Sequence, residues 1–202
     1  MSKIFQKVSQ IVFLLLFLFL LKVGKVQVWL VIFVGSVILA LLSGRFYCGW
    51  ICPINTLIGN ISKVKKRLGI KEFYIPRFLK KPLFRNLVLI IFIITFIFVI
   101  ISGKKLPVLP FLFLMGIALT LFFPESMWHR YLCPYGSILG MTGSKAKRYL
   151  KIDSGKCIQC GICARACPGD AVLNHNEYFI DKSLCLICFK CVNKCPMKTI
   201  HF

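Results

Sequence analysis

The sequence predicts a helical membrane domain followed by a small, cysteine-rich α+β domain. Long uncharged apolar stretches occupy the region before residue 125, and eight of the 11 cysteines lie after residue 150 in two runs of identical spacing. The chain is 58% hydrophobic with a mean hydropathy of +0.80. A soluble globular domain is about 45–50% apolar, so these values indicate a membrane protein.

The uncharged stretches predict four transmembrane helices arranged as two hairpin repeats. They cover residues 8–21, 26–44, 86–103 and 106–124. At about 1.5 Å per residue, the last three nearly span the ~30 Å hydrocarbon core of a bilayer. The first is shorter, but Lys7 and Lys22 at its ends can snorkel to the headgroups. A cleaved signal peptide is the alternative; because no small-residue cleavage pattern follows Leu21, we expect a retained helix.

Basic residues predict the orientation of these helices. Residues 45–85 hold ten lysines and arginines against the single acid Glu72, whereas the short connections carry only Lys22 with Lys25 and Lys104 with Lys105. The positive-inside rule places the long loop, both termini and the C-terminal domain in the cytoplasm, on the cytoplasmic membrane. Anionic membrane lipid explains the formal charge of +21, and nucleic acid is not an expected partner.

The C-terminal cysteines form two copies of one motif. Each reads C-x2-C-x2-C-x3-C-P, and the copies coincide under a shift of 28 positions, the difference between Cys185 and Cys157. Zinc sites usually take two C-x2-C pairs instead, and the run favours iron–sulfur chemistry over zinc or disulfides. Residues 153–202 resemble the bacterial two-cluster ferredoxins on these motifs, including a short strand expected near residues 178–181.

The resemblance implies two [4Fe–4S] clusters with crossed ligands, because the fourth cysteine of each run binds the other cluster. The first cluster would be held by Cys157, Cys160, Cys163 and Cys195. The second would be held by Cys185, Cys188, Cys191 and Cys167. A domain of this kind transfers single electrons and has no substrate pocket, so we expect an electron-transfer subunit of an oxidoreductase complex more than a stand-alone enzyme.

A second internal repeat relates the two halves of the membrane region by 81 positions, the difference between Cys133 and Cys52. Each half then consists of a helical hairpin, a Cys-Pro turn and a short helix that ends in a basic cluster. The shift also aligns Cys48 with His129, which predicts that Cys48, Cys52, His129 and Cys133 lie at one membrane face. Three interpretations remain: a zinc or iron–sulfur site, a redox-active disulfide, or cysteines that only pack as small apolar residues.

The expected domains are a four-helix transmembrane domain over 1–125 with its basic loop at 45–85, a Cys-Pro turn and basic connecting helix over 126–152, and a ferredoxin domain over 153–202. Together these features resemble the NapH-type membrane subunit of quinol dehydrogenases, although its second motif usually reads C-x3-C-P and here begins with His129. The resemblance implies a quinol or quinone partner and partner redox subunits. The alternative function is an assembly factor that reduces a metal ion or a thiol during metalloenzyme biogenesis.

Overall fold

The computed structural model describes residues 3–102 and 108–202. The expected second hairpin turn, with Lys104 and Lys105, lies outside the described residues. Four long apolar helices are present: α1 Lys3–Val23, α2 Val28–Ser43, α5 Pro82–Ser102 and α6 Val108–Phe122. Helices α1 and α5 are long and apolar enough to cross a membrane, while α2 and α6, with 16 and 15 residues, are shorter than that criterion.

The first turns of α1 are anchored by polar side chains. The helix begins at Lys3, five residues before the apolar stretch that predicts it. Both Gln6 and Gln10 donate a hydrogen bond from Nε2 to the carbonyl oxygen of Gly49, at 3.1 and 2.9 Å. Contacts with the first Cys-Pro turn therefore hold the additional N-terminal turn of α1, which the sequence pattern attributes to the snorkelling of Lys7 alone.

Short helices follow each hairpin and repeat with the expected shift. In the first half these are α3 Phe46–Trp50 and α4 Pro53–Arg67. In the second half they are α7 Glu125–Met127, one π-helical turn at Trp128–Leu132, and α8 Pro134–Gly143. Helix α4 packs against α1 and α6, whereas α8 packs against α5 and α2. Each short helix thus contacts the opposite half, and the two halves interlock.

The two short helices differ at their basic ends. Helix α4 runs through Lys65-Lys66-Arg67, but α8 ends at Gly143, before its basic residues, so the connecting helix is shorter than predicted. Gly143 lies against Gly44, where a Cβ atom would stand 3.3 Å from the Gly44 Cα. The chain leaves the helix at this close contact and continues into the C-terminal domain.

Lys65 has a structural role that its position in a basic cluster does not suggest. Its side chain is only 4% exposed. The Nζ atom donates to the carbonyl oxygens of Thr120 and Phe123, at 2.8 and 3.1 Å, and pairs with Glu72 at 3.1 Å. The last carbonyls of a helix have no partner within the helix, so Lys65 supplies hydrogen bonds that the end of α6 would otherwise lack.

The C-terminal domain contains two small antiparallel pairs of strands. Strand β1 Lys151–Ile152 pairs with β4 Ile200–His201, and β2 Val172–His175 pairs with β3 Glu177–Ile180. Helix α9 spans Ile162–Ala166. The strand expected near residues 178–181 is β3. The pairing of the first strand with the last brings the ends of the duplicated unit together around one core.

The segment 183–188 of this domain lies directly on the two Cys-Pro turns. Trp50 donates from Nε1 to the carbonyl oxygen of Ile187 at 3.0 Å. A Cβ atom at Gly140 would stand 2.7 Å from the carbonyl oxygen of Ser183. A Cβ atom at Gly49 would collide with the carbonyl oxygen of Leu186. Glycine is required at both positions because the backbones meet without room for a side chain.

We expect Gly49→Ala to destabilise this contact by about 1–3 kcal/mol, since the added methyl group overpacks a close backbone approach. Gly35→Ala is the matched control, because a Cβ atom there meets nothing within 4 Å. Thermal unfolding and limited proteolysis of the C-terminal domain would measure the difference. Equal behaviour of the two variants would contradict the close docking of segment 183–188.

Candidate metal centres

Two small cavities in the C-terminal domain are each lined by four cysteines. One is lined by the group that we call the first set: Cys157, Cys160, Cys163 and Cys195. The other is lined by the second set: Cys167, Cys185, Cys188 and Cys191. Each cavity therefore takes three cysteines from one run and the fourth from the other, which is the arrangement that the ferredoxin resemblance implies.

The backbone around the two cavities follows the 28-residue repeat. Residues with a positive φ occur in equivalent pairs: Gln159 and Ile187, Gly161 and Phe189, Asp170 and Lys198, with φ between 48° and 69°. Five of these six residues are not glycine, and a positive φ is uncommon for such residues. Conformations of this kind cluster where a loop is shaped for binding, so the cysteine loops have the local backbone of a ligand cradle.

Two sulfur atoms make hydrogen bonds at equivalent positions of the repeat. The backbone N–H of Ala171 donates to Cys167 Sγ at 3.2 Å, and Cys195 Sγ lies 3.4 Å from the Thr199 hydroxyl. Both cysteines precede a proline and have extended backbone. Hydrogen bonds to ligand sulfurs orient them and adjust the reduction potential of an iron–sulfur centre.

The two sets differ in exposure. Cys160 of the first set is exposed, whereas Cys185 and Cys191 of the second set are buried. Burial raises the pKa of Cys188 to about 11 and that of Cys185 to about 12. Thiols in this environment ionise only when a cation compensates for the loss of solvation. The second set has two buried cysteines and none exposed, so it is the more interior site, whereas the first set has one buried cysteine, Cys163, and the exposed Cys160.

The structure also brings the four residues of the Cys-Pro turns together. Cys48, Cys52, His129 and Cys133, which we call the Cys-Pro set, line one small cavity beside Trp29, Tyr47 and Tyr135. They lie on α3, on the extended residues that precede α4 and α8, and on the π-helical turn. Proline at the first position of α4 and α8 fixes where each helix starts, directly after the cysteine.

The imidazole of His129 is buried and neutral. His129 is 5% exposed, and its Nε2 atom has no hydrogen-bond partner among the described residues. Burial, together with Arg45 and Lys190, lowers its pKa to about 3. Burial also raises the pKa of Cys52 and brings that of Cys133 to about 12. Neutral imidazole is the form that binds metals, and one nitrogen with three sulfurs is a donor set suited to soft metal ions.

The cysteine and histidine side chains of these sets are not gathered around a common metal position. Within residues 3–102 and 108–202, no three His, Cys, Asp or Glu side chains meet the spacing of a metal site, and this holds for the ferredoxin cysteines as well as for the Cys-Pro set. All the cysteines are free thiols, so the Cys-Pro set forms no disulfide in this structure. What fits a metal is the backbone cradle of each ferredoxin set and the unpartnered His129 nitrogen.

Arg45 is a site residue that sequence reasoning missed. The sequence pattern groups it with the basic residues of the loop 45–85, but it is only 2% exposed. Its guanidinium donates to the carbonyl oxygens of Ser183 and Leu184, at 3.3 and 3.4 Å, and to that of His129 at 3.3 Å. Arg45 therefore connects both Cys-Pro turns with the segment that precedes Cys185. Its repeat equivalent is Ser126, so the internal repeat gave no signal for it.

Comparison with sequence families places iron–sulfur motifs in both parts of the chain. A family described as "4Fe-4S binding domain" matches residues 26–71 and 106–152, which contain the second long helix of each half, the Cys-Pro turn and the short helix that follows it. A second family of the same description matches residues 150–173, which include the first cysteine run. No solved structure matches the chain.

Several curated proteins are similar over most of the chain. "Uncharacterized protein MJ0749" of Methanocaldococcus jannaschii is 31% identical over 83% of this chain and 68% of its own length. "Putative electron transport protein YccM" of Escherichia coli is 25% identical, over 83% of this chain and 53% of its own length. "Ferredoxin-type protein NapH" of Haemophilus influenzae is 28% identical, over 81% of this chain. The chain spans 63% of that NapH, about half of YccM and just over two thirds of MJ0749. This chain therefore belongs to the NapH-like family of 4Fe-4S proteins.

Proposed function

We propose that this protein is a membrane-bound carrier that holds two [4Fe–4S] clusters and relays electrons between a quinol in the bilayer and a partner redox protein. The observation that supports the relay is the position of the second set. Cys188 packs in the same hydrophobic cluster as Cys48 and Tyr47, so the interior cysteine site of the ferredoxin domain adjoins the Cys-Pro set. The first set includes the exposed Cys160.

The contact between the two sites is made by protein atoms. Leu186, Cys188 and Cys52 all pack on one cluster of side chains that also contains Phe33 and Leu139. The Trp50–Ile187 hydrogen bond and the Arg45 contacts hold this region in place. Electrons that pass between the Cys-Pro set and the second set would therefore travel through packed protein.

The first set supplies the exit towards a soluble partner. Cys160 is exposed, and the neighbouring side chains of Ile158 and Met197 are 60% and 52% exposed. Exposed apolar side chains around a redox site form a surface suited to brief docking of another protein. The proposed partner protein thus approaches the outer end of the domain, away from the membrane.

The stoichiometry of the proposed reaction suits the two cysteine sets. Oxidation of a quinol to the quinone releases two electrons and two protons. When bound, each [4Fe–4S] cluster would supply a one-electron acceptor, so the first and second sets together would take up both electrons, and the two protons would be released to water.

We further propose that all four apolar helices span the membrane, with the ferredoxin domain on the cytoplasmic side. The outward faces of these helices expose large apolar side chains, and contiguous patches of this kind are typical of a lipid-facing surface. Examples are Leu15 and Phe19 of α1, Val31 and Ile38 of α2, Ile94 and Phe98 of α5, and Phe111 and Leu114 of α6. Membrane lipid is the proposed partner of this surface.

A second candidate function is assembly of another metalloenzyme. The unpartnered Nε2 of His129 beside three thiols favours it, because such a donor set can hold a metal ion in transit. Under this interpretation the Cys-Pro set acts as the metal-handling centre and the ferredoxin cysteines supply the reducing electrons.

The crossed ligand sets predict the outcome of single cysteine substitutions. Cys195→Ser should impair the first cluster and leave the second, although Cys195 lies in the second run. Cys167→Ser should do the reverse, and the two variants control each other. Iron analysis and electron paramagnetic resonance of anaerobically purified protein should show eight iron atoms per chain in the parent and two coupled signals on reduction. Loss of the second cluster from the Cys195 variant would refute the crossed sets.

The Cys-Pro set is tested by Cys52→Ala and Cys133→Ala. Each should lower electron delivery from quinol by roughly tenfold or more, while the ferredoxin domain keeps its iron, since those ligands lie elsewhere. His129→Cys should be milder because a thiolate can replace imidazole at many metal sites. Quinol-dependent reduction in vesicles, with iron content as the control, measures both effects. Full electron transfer in both alanine variants would show that these cysteines only pack, and zinc or iron handling without quinol oxidation would favour the assembly function.

The proposed orientation can be tested by placing an azide-bearing residue at Gln27, in the α1–α2 turn, or at Leu68, after α4, which is 69% exposed. A membrane-impermeant cyclooctyne dye should label position 27 in intact cells and position 68 only after lysis. The azide avoids the native thiols. Labelling of position 68 from outside would invert the topology.

A further inference from the structure

A basic cavity lies where the membrane half meets the ferredoxin domain. Its walls are the first turns of α1, one face of α4 and residues near the second set, and its volume is about 350 Å³. This size is within the range of small-molecule binding sites. We call it the basic cavity. It adjoins the second-set cavity through Cys188 and the cavity of the Cys-Pro set through Asn55.

The charge of the basic cavity is strongly positive. Six lysines line it: Lys3, Lys7, Lys63, Lys66, Lys190 and Lys194. The one carboxylate in the lining, Glu125, is buried and pairs with Lys190 at 3.4 Å. The other five lysines make no ion pair with any residue that the structure describes. Most of the lysine charges in the cavity are therefore not balanced by a carboxylate.

Two buried polar residues also line the cavity. Asn55 is 7% exposed and Ser62 is 2% exposed. The side-chain amide of Asn55 makes no hydrogen bond within the described part of the chain, and Asn55 lines both this cavity and that of the Cys-Pro set. An amide donor close to several lysines suits an anion with several acceptor oxygens.

We propose that the basic cavity binds a phosphate group, either of an anionic phospholipid or of free phosphate. Lysine ammonium groups are common partners of phosphate, and the Asn55 amide can donate to one of its oxygens. The crowding of the cations supports this assignment. Burial, together with the charges of Lys190 and Lys7, lowers the pKa of Lys63. An anion among these lysines would relieve their repulsion.

The surroundings favour a phospholipid as the source. Ile11, Leu15 and Leu18 follow Lys7 on the same side of α1, at i+4, i+8 and i+11, and are 54%, 61% and 44% exposed. Acyl chains could pack along this face while the phosphate lies among the lysines. This part of the proposal rests on the membrane location proposed above, whereas binding of free phosphate does not.

A bound phosphate would also influence the second set. Cys188 belongs to the lining of both the basic cavity and the second-set cavity. A negative charge beside a ligand thiolate disfavours addition of an electron, so the bound anion should shift the reduction potential of the second cluster to more negative values. The first cluster, whose ligands do not line the basic cavity, should shift less.

The test compares two double variants of the intact, cluster-loaded protein in phosphatidylcholine nanodiscs. Lys63→Gln/Lys66→Gln removes two cations from the cavity. Lys145→Gln/Lys147→Gln makes the same charge change at exposed positions outside it, and Lys147 is the repeat equivalent of Lys66. Native mass spectrometry counts phosphatidylglycerol bound after its addition. A titration with inorganic phosphate measures binding of free phosphate. Electron paramagnetic resonance follows the reduction potential of the second cluster.

We expect phosphatidylglycerol to bind and to shift that potential, with affinity reduced roughly tenfold or more in the cavity variant and unchanged in the control. If only inorganic phosphate binds, with the same dependence on Lys63 and Lys66, the phosphate site is supported and its ligand is free phosphate. Absence of both ligands, or equal loss in the cavity and control variants, would overturn the proposal. Iron content and reoxidation by quinone are recorded in parallel, so a failure of the electron relay is distinguished from a failure of this site.

Discussion

The arrangement of the sites depends on the buried guanidinium of Arg45. It donates to the carbonyl oxygens of His129, Ser183 and Leu184, and it pairs with no carboxylate among residues 3–102 and 108–202. Burial of an uncompensated cation is unfavourable. An oxidised [4Fe–4S] cluster with four thiolates carries a net negative charge, and Cys185 of the second set follows Leu184 directly. The proposed cluster would supply the missing anion, which links folding at this interface to cluster assembly.

The interlocked helices give that interface a rigid frame. Because α4 packs on α6 and α8 packs on α2, neither half of the membrane repeat can form its packing alone. The interlock also brings the two Cys-Pro turns together, so residues 81 positions apart line one cavity. The ferredoxin domain then docks on both turns at once through glycine contacts and carbonyl hydrogen bonds. Its second cysteine set is held against the helical half of the chain, and Cys160 of the first set is exposed, where the proposed partner would dock.

The sequence predicted the features that depend on spacing. Cysteine loops are local structures, so their repeat indicated the two sets, and the 81-residue shift identified the Cys-Pro set. Features that depend on tertiary burial were not predictable in this way. Arg45 and Lys65 look like ordinary loop charges, and only packing shows that they satisfy buried carbonyl groups. The early end of α8 at Gly143 likewise follows from its contact with Gly44. Apolar stretches mark helix ends only approximately, since α1 begins five residues before its stretch and α2 begins two residues after the start of its own.

The central claim is that electrons pass between the bilayer and the second set. The most direct test places pre-reduced protein in vesicles that contain ubiquinone-10, which stays in the bilayer, and follows reoxidation by freeze-quench electron paramagnetic resonance. Protein that keeps only the second cluster, as in Cys195→Ser, should be reoxidised at close to the parent rate. Protein that keeps only the first cluster, as in Cys167→Ser, should be reoxidised far more slowly. Equal rates for the two variants, or faster reoxidation of the first cluster alone, would contradict the account.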